Sequence, residues 1–247
     1  MNNNEIILKV KKLIVLYKQG LLGGETMPED SNPNLEKNST ENIIYFTLPM
    51  ALNYQRNSYT LWECALKTWN DSETKDVFNV KEVLKLNIDA LKQKLTKYKL
   101  ALQPNKQPII WFTLCNSINK YFNGDIKNLF INFGNDIVKI KSFILNNKKD
   151  FPYLSGTKIL NYWLYVIMQY TSIPLKNKQC ISVAPDTHII QSSLRLGVIN
   201  QSEVNKANIR EIVSNRWQEI LKDSNIYPID IHTPFWLWSR NKFSVEI

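Results

Sequence analysis

Glycine is scarce, with seven residues in a chain of 247, and these stand at breaks in the hydrophobic pattern rather than inside it. No convincing run of alternating apolar and polar residues appears, so a strand-rich fold is not expected. Cysteine is scarcer. Cys64, Cys115 and Cys180 are odd in number, far apart and without a C-x-x-C pair, which argues against both a disulfide framework and a zinc site. They read as core thiols in a reducing compartment, and an intracellular protein is expected. The longest apolar stretch, Tyr162 to Met168, is far short of what a bilayer requires, so no membrane association is expected.

Positive charge and helical periodicity are plentiful. Lys and Arg number 31 against 22 Asp and Glu, a formal charge of +9, which favours a polyanion as partner and speaks to association rather than fold. Ile6, Ile7, Val10, Leu13, Ile14 and Tyr17 recur at helical spacing until Gly20 and Gly23-Gly24 stop them. Glu25 to Thr40, with two prolines and many Asn, Ser and Glu, reads as one long, mobile loop. Pro49 fits the first turn of a helix carrying Ala51, Leu52 and Tyr54, and Ser58 can cap the next. Asn79-Val-Lys-Glu82 has the form of a capping box feeding one helix through Leu95. Lys92, Lys94, Lys97 and Lys99 crowd its end, either as a phosphate-facing surface or as a solvated basic helix terminus. Further helical patterns cover Ile109 to Phe122, two short segments up to Asn146, Thr157 to Tyr170, and Glu203 to Leu221, and a last element starts at Thr233-Pro234. The expectation is an all-α fold of nine to eleven helices in a single domain. Its helical subdomains cover 41–150 and 151–247, joined by an N-terminal helix over 5–20 and the loop over 21–40.

One stretch organises the rest. Asp150, Pro152 and Ser155-Gly156 end one helical pattern and start another, so Lys158 falls on the first turn of a helix with Tyr162 one turn above it on the same face. Downstream, Val183-Ala-Pro-Asp-Thr-His places Asp186 just before the apolar run Ile189, Ile190, Leu194 and Leu196. That is a helix N-cap position, where orphan N–H groups and the helix dipole favour an ionised acid.

A hairpin turn leading to a lysine, then an aspartate in this context followed by Arg195-Leu-Gly, resembles the helix-hairpin-helix DNA glycosylases that keep a catalytic lysine. The usual Gly-Val-Gly hairpin is only partly present, with Gly156 in place and Leu154 where the first glycine would stand. The long interval from Lys158 to Asp186 is more like the archaeal-type 8-oxoguanine DNA glycosylase branch than the endonuclease III branch, whose four-cysteine cluster is absent. Leu52-Asn-Tyr-Gln55, followed by Trp62, resembles that branch's early Tyr-Gln segment. Ile231-His-Thr-Pro-Phe-Trp236 resembles its C-terminal segment, with His232 in place of an aspartate.

The resemblance implies a fold of two helical subdomains flanking a cleft and a monomeric enzyme, free of metal and cofactor, acting on damaged double-stranded DNA. Removing a purine needs the base out of the duplex, a nucleophile at the sugar C1′, and negative charge near the developing oxocarbenium ion. On this reading Lys158 is the nucleophile and Asp186 the charge, with a Schiff base and β-elimination to follow. A lysine attacks as the neutral amine, so burial beside aromatic walls would suit it. Tyr162 and Trp236 would sandwich the base, with Gln55 and His232 reading its edge. An imidazole offers a different donor and acceptor pattern from a carboxylate, so the base need not be 8-oxoguanine. Ser155, Gly156 and Thr157 would meet a phosphate at a helix N-terminus. His188 is expected to be structural, packing near the cap. Two alternatives stay open: a monofunctional glycosylase for another modified base, and a non-catalytic module that binds DNA structure.

Overall fold

The computed structural model describes residues 2–23 and 27–247, so residues 24–26 of the expected loop lie outside the described residues. Among the described residues it is all-α, with no strand beyond one isolated bridge between Asp136 and Lys176. The twelve α-helices are α1 (Asn3–Lys18), α2 (Thr40–Thr47), α3 (Ser58–Asn70), α4 (Val80–Val83), α5 (Ile88–Lys97), α6 (Gln107–Phe122), α7 (Lys127–Asn132), α8 (Ile137–Asn146), α9 (Thr157–Tyr170), α10 (Thr187–Arg195), α11 (Ile209–Ile220) and α12 (His232–Arg240). The helix expected from Asn79 through Leu95 is two, α4 and α5. The Asn87 side chain accepts from the N–H of Ala90 at 2.8 Å and starts a new helix where the pattern alone ran on. The segment after Pro49 closes as a single 3-10 turn, Pro49–Leu52, and Asn57 rather than Ser58 caps α3. Glu203 stands outside α11, which begins at Ile209.

The chain forms two compact units, one from Met27–Asn177 and one from Met1–Thr26 with Lys178–Ile247. The line falls at 177/178, where the sequence reading drew its boundary at 150/151, because α9 is built into the core of the first unit. Its Trp163 is fully buried and donates to Thr47 Oγ1 on α2 at 3.1 Å, while Asn42 on α2 donates to the carbonyl of Tyr170 at 2.9 Å. An aromatic cluster continues that core. Tyr45 lies 5.8 Å from Trp62 and 5.4 Å from Phe78, and Phe78 lies 5.6 Å from Trp111, whose indole donates to the carbonyl of Val77. Truncating one of these buried tryptophans to alanine would cost roughly 3–5 kcal/mol.

From Met27 onward the expected mobile loop is a packed strap. Pro28–Asp30 form a 3-10 turn in which Asp30 accepts from the N–H of Met27 at 2.7 Å. Asn32 donates to the carbonyl of Glu29, Tyr45 to that of Ser31, and Tyr170 to the Asp30 carboxylate. Local polarity made the segment look solvated, but long-range donors hold it.

In the other unit, α1 carries a capping box between Asn2 and Glu5 and buries Ile6, Val10 and Leu13. Trp217 on α11 meets Phe235 on α12 at 5.0 Å, and Ser192 on α10 donates to the carbonyl of Phe235 at 2.9 Å. Glu203 closes this unit through two bonds from Arg216, at 2.7 and 2.9 Å.

Candidate functional site

In the unit of residues 27–177, the hairpin between α8 and α9 decides where Lys158 stands. Phe151 is buried 5.8 Å from Phe143, and Ser117 donates to the carbonyl of Asp150 at 2.7 Å, fixing the way into the turn. The residue in left-handed conformation is Tyr153, with φ 60, not residue 154 and not a glycine. Leu154 is 1% exposed, which explains the side chain where the resemblance called for glycine. Gly156 is a glycine for a different reason. Its φ is −67, open to any residue, but a Cβ there would lie 3.1 Å from the carbonyl oxygen of Tyr153.

The expected phosphate contact is correspondingly narrower. The N–H of Ser155 donates to the carbonyl of Phe151 at 3.0 Å and that of Gly156 to the carbonyl of Tyr153 at 2.9 Å, so both are already engaged. No side chain caps α9, and the first-turn amides of a helix lack intrahelical acceptors, which leaves the exposed start at Thr157 as the part that suits an anion.

Lys158 is exposed, so the burial expected to favour its neutral amine is missing in the free protein. Tyr162, one turn on, is half-buried, and its hydroxyl donates to Glu29 Oε1 at 3.0 Å. Burial, reinforced by the charge of Glu29, holds the Tyr162 phenol well above its ordinary value. The same Glu29 oxygen accepts from the Trp62 indole at 2.8 Å. Glu29 itself is 1% exposed, and desolvation pushes its carboxyl up from 4.5 to about 7 against the pull of its own backbone N–H and of those two donors. Sequence reasoning missed this residue. It sits in a polar, proline-bearing stretch with no period, and nothing local marks it for burial.

Gln55 is exposed at the tip of a turn, with φ 50. Its neighbours tie that turn down. The Tyr54 ring lies 5.3 Å from that of Tyr153 in the hairpin, and Arg56 donates to the carbonyls of Lys99 and Leu100. The Gln55 turn and the hairpin before Lys158 are thus brought together, with Lys106 over the Tyr153 ring at 5.1 Å. Three of the four lysines near the end of α5 are engaged with protein groups, and Lys99 is exposed. Lys97 pairs with Asp71 and Glu73 at 2.6 and 2.7 Å, Lys94 with Asp76 at 3.0 Å, and Lys92 donates to Asn105. Lys92, Lys94 and Lys97 thus have part of their charge or donor capacity taken up within the protein.

In the unit that holds α10 and α12, Asp186 is the N-cap of α10. It accepts from the N–H groups of His188 and Ile189 at 2.9 and 3.0 Å, as its place before an apolar run suggested. It is half-buried. His188 links this cap to α12, its ring edge-on to Trp236 at 5.3 Å and its Nδ1 3.1 Å from Ser239 Oγ, which in turn donates to Gln191. Trp236 is 8% exposed, with the Arg240 guanidinium over its ring at 4.9 Å, and His232 is 4% exposed. Of the four residues expected to touch a base, these two are therefore buried in the free protein, while Tyr162 is half-buried and Gln55 exposed. Among the described residues no three His, Cys, Asp or Glu side chains gather as a metal ion would require, and no helix is long and apolar enough to cross a membrane.

Comparison with known proteins gives no match, either to a protein-family model or to a curated sequence.

Proposed function

We propose that this chain is a helix-hairpin-helix DNA glycosylase with lyase activity that removes an oxidised purine, 8-oxoguanine being the first candidate, from double-stranded DNA. The observation that carries the reading is the start of α9, where an exposed lysine follows a tight helix–helix turn and shares a helix face with a half-buried tyrosine. The N-cap aspartate of α10, in a Val-Ala-Pro-Asp-Thr-His context, is its second support. The neutral Lys158 amine attacks C1′, and the glycosidic C–N bond breaks with its electron pair leaving on the base, which takes up a proton. Asp186 offsets the positive charge that develops on the sugar. Loss of a proton from nitrogen and opening of the sugar ring give the Schiff base. Removal of a 2′ proton then expels the 3′ phosphate and nicks the strand. Extrusion of the base into a water-poor cleft on DNA binding would supply the desolvation that exposed Lys158 lacks.

The test is borohydride trapping with duplexes each carrying one modified base. A covalent adduct forms with the wild type and not with Lys158→Ala. An adduct that persists in the variant points to another amine and ends the assignment.

A second reading, a non-catalytic module that binds DNA structure, draws on the exposure of Lys158 and the burial of Trp236. It requires steeply salt-dependent affinity for nicked or branched duplexes with no base release. A monofunctional glycosylase would release the base and leave the strand intact.

A further inference from the structure

Glu29 has no part in the chemistry above, yet it is a carboxyl 1% exposed with two donors aimed at one of its oxygens. The donors come from different elements, Trp62 from α3 and Tyr162 from α9. Both reach Oε1, and a carboxyl oxygen can accept a hydrogen bond whether the group is ionised or protonated. A tyrosine ring on a helix swings about two torsions, and pinning its hydroxyl removes that freedom at the far end of the side chain. Tyr162 is the residue one turn from Lys158.

We propose that Glu29 is a positioning residue of the site: through the Tyr162 hydroxyl it fixes the ring beside Lys158, the surface against which an extruded base would stack. This rests on the function proposed above. The groups around Glu29 are consistent with it. Asp30 holds the hydroxyl of Tyr170 at 2.8 Å, Tyr165 lies 6.0 Å from the Tyr162 ring, and the charge of Asp30 adds to the effect of burial in favouring protonated Glu29. An ionised carboxylate is the stronger acceptor, so the grip on Tyr162 tightens as pH rises through about 7.

The experiment uses the full chain and two kinds of duplex, one bearing a modified purine and one an abasic site, with single-turnover base release and borohydride trapping read from pH 6 to 9. Glu29→Ala and Tyr162→Phe should each slow base release by about tenfold, as misplacement near a reacting centre does, and Glu29→Ala should leave trapping at the abasic site within about twofold. The double variant should be no slower than either single one. Glu29→Gln, which keeps an acceptor oxygen, should restore release and remove the inflection that the wild type shows near pH 7. Tyr162→Phe should lose the inflection as well, because without the hydroxyl the ionisation of Glu29 no longer reaches the ring. Base release by Glu29→Ala at the wild-type rate overturns the proposal, as do additive effects in the double variant or equal losses of release and trapping. If Glu29→Ala does not fold, the same cycle run with Glu29→Gln and Tyr162→Phe decides by the pH inflection alone. A wild type that releases no base from any duplex overturns the glycosylase reading itself, and this inference with it.

Discussion

Replacing Glu29 with glutamine should stabilise the protein in alkaline buffer and change little in acid. The carboxyl is completely buried and its pKa is raised from 4.5 to about 7, with desolvation the largest cause. Below pH 4.5 the folded and unfolded chains both carry the proton, and the residue adds no pH dependence. Between 4.5 and about 7 the unfolded chain ionises while the folded chain keeps the proton, so stability falls as pH rises. Above about 7 the full cost is present. At about 1.4 kcal/mol per pH unit this comes to about 3 kcal/mol, or roughly 6–12 °C in Tm for a unit of this size. Glutamine keeps an acceptor for Trp62 and Tyr162 and cannot ionise, so the variant should gain that amount on the wild type between pH 4.5 and 8.5. Urea unfolding followed by circular dichroism at the two pH values measures it, and taking the difference cancels the other carboxylates. Equal pH dependence in the two proteins would refute the argument, and would mean that Glu29 is solvated or already ionised at neutral pH.

Further outcomes follow from the same reasoning. Gly156→Ala sets a Cβ 3.1 Å from a backbone oxygen at a φ that any residue can adopt. The strain of a small hairpin shift is set against the entropy lost from the unfolded chain, so the net change should stay within about 1 kcal/mol, readable as a nearly unchanged urea midpoint. Asp186→Ala removes the cap of α10 and should cost about 1 kcal/mol. Asp186→Asn keeps the acceptor and should sit near the wild type in stability while losing base release, which separates cap from chemistry. Glu203 is held down to about 2, chiefly by its bonds from Arg216. Its stabilising contribution is present above the ordinary carboxylate range and is lost as pH falls toward 2, so Arg216→Leu should flatten the acid limb of the unfolding curve.

How far the site was readable depended on whether a residue's role is local. Asp186 could be placed as a cap because capping needs only the amides two and three residues on, and α9 could be placed because its apolar run starts beside strong stop signals. The hairpin was half readable. Its position followed from Pro152 and Gly156, but not that Tyr153 would take the left-handed turn or that Leu154 would enter the core. Asn87 was passed over because Leu86 and Ile88 carry the apolar pattern across it. Glu29 lay beyond reach, since its burial is made by Trp62 and Tyr162, distant in sequence, and its own neighbours look like a solvated loop. For Trp236 the pattern gave helical placement, but not the Arg240 and His188 side chains that cover it.

One unit is assembled from both ends of the chain, with the segment from Met27 to Asn177 threaded between them. On the ribosome, therefore, α1 emerges before the whole of the intervening unit, and the α12 against which it packs is made only after that unit. Throughout that wait Ile6, Val10 and Leu13 lack their final cover, while the intervening unit already has every helix it needs to close. Order of synthesis and order of completion run opposite ways here, and a stall after Asn177 but before α12 would release a chain whose middle is finished and whose α1 is still sticky.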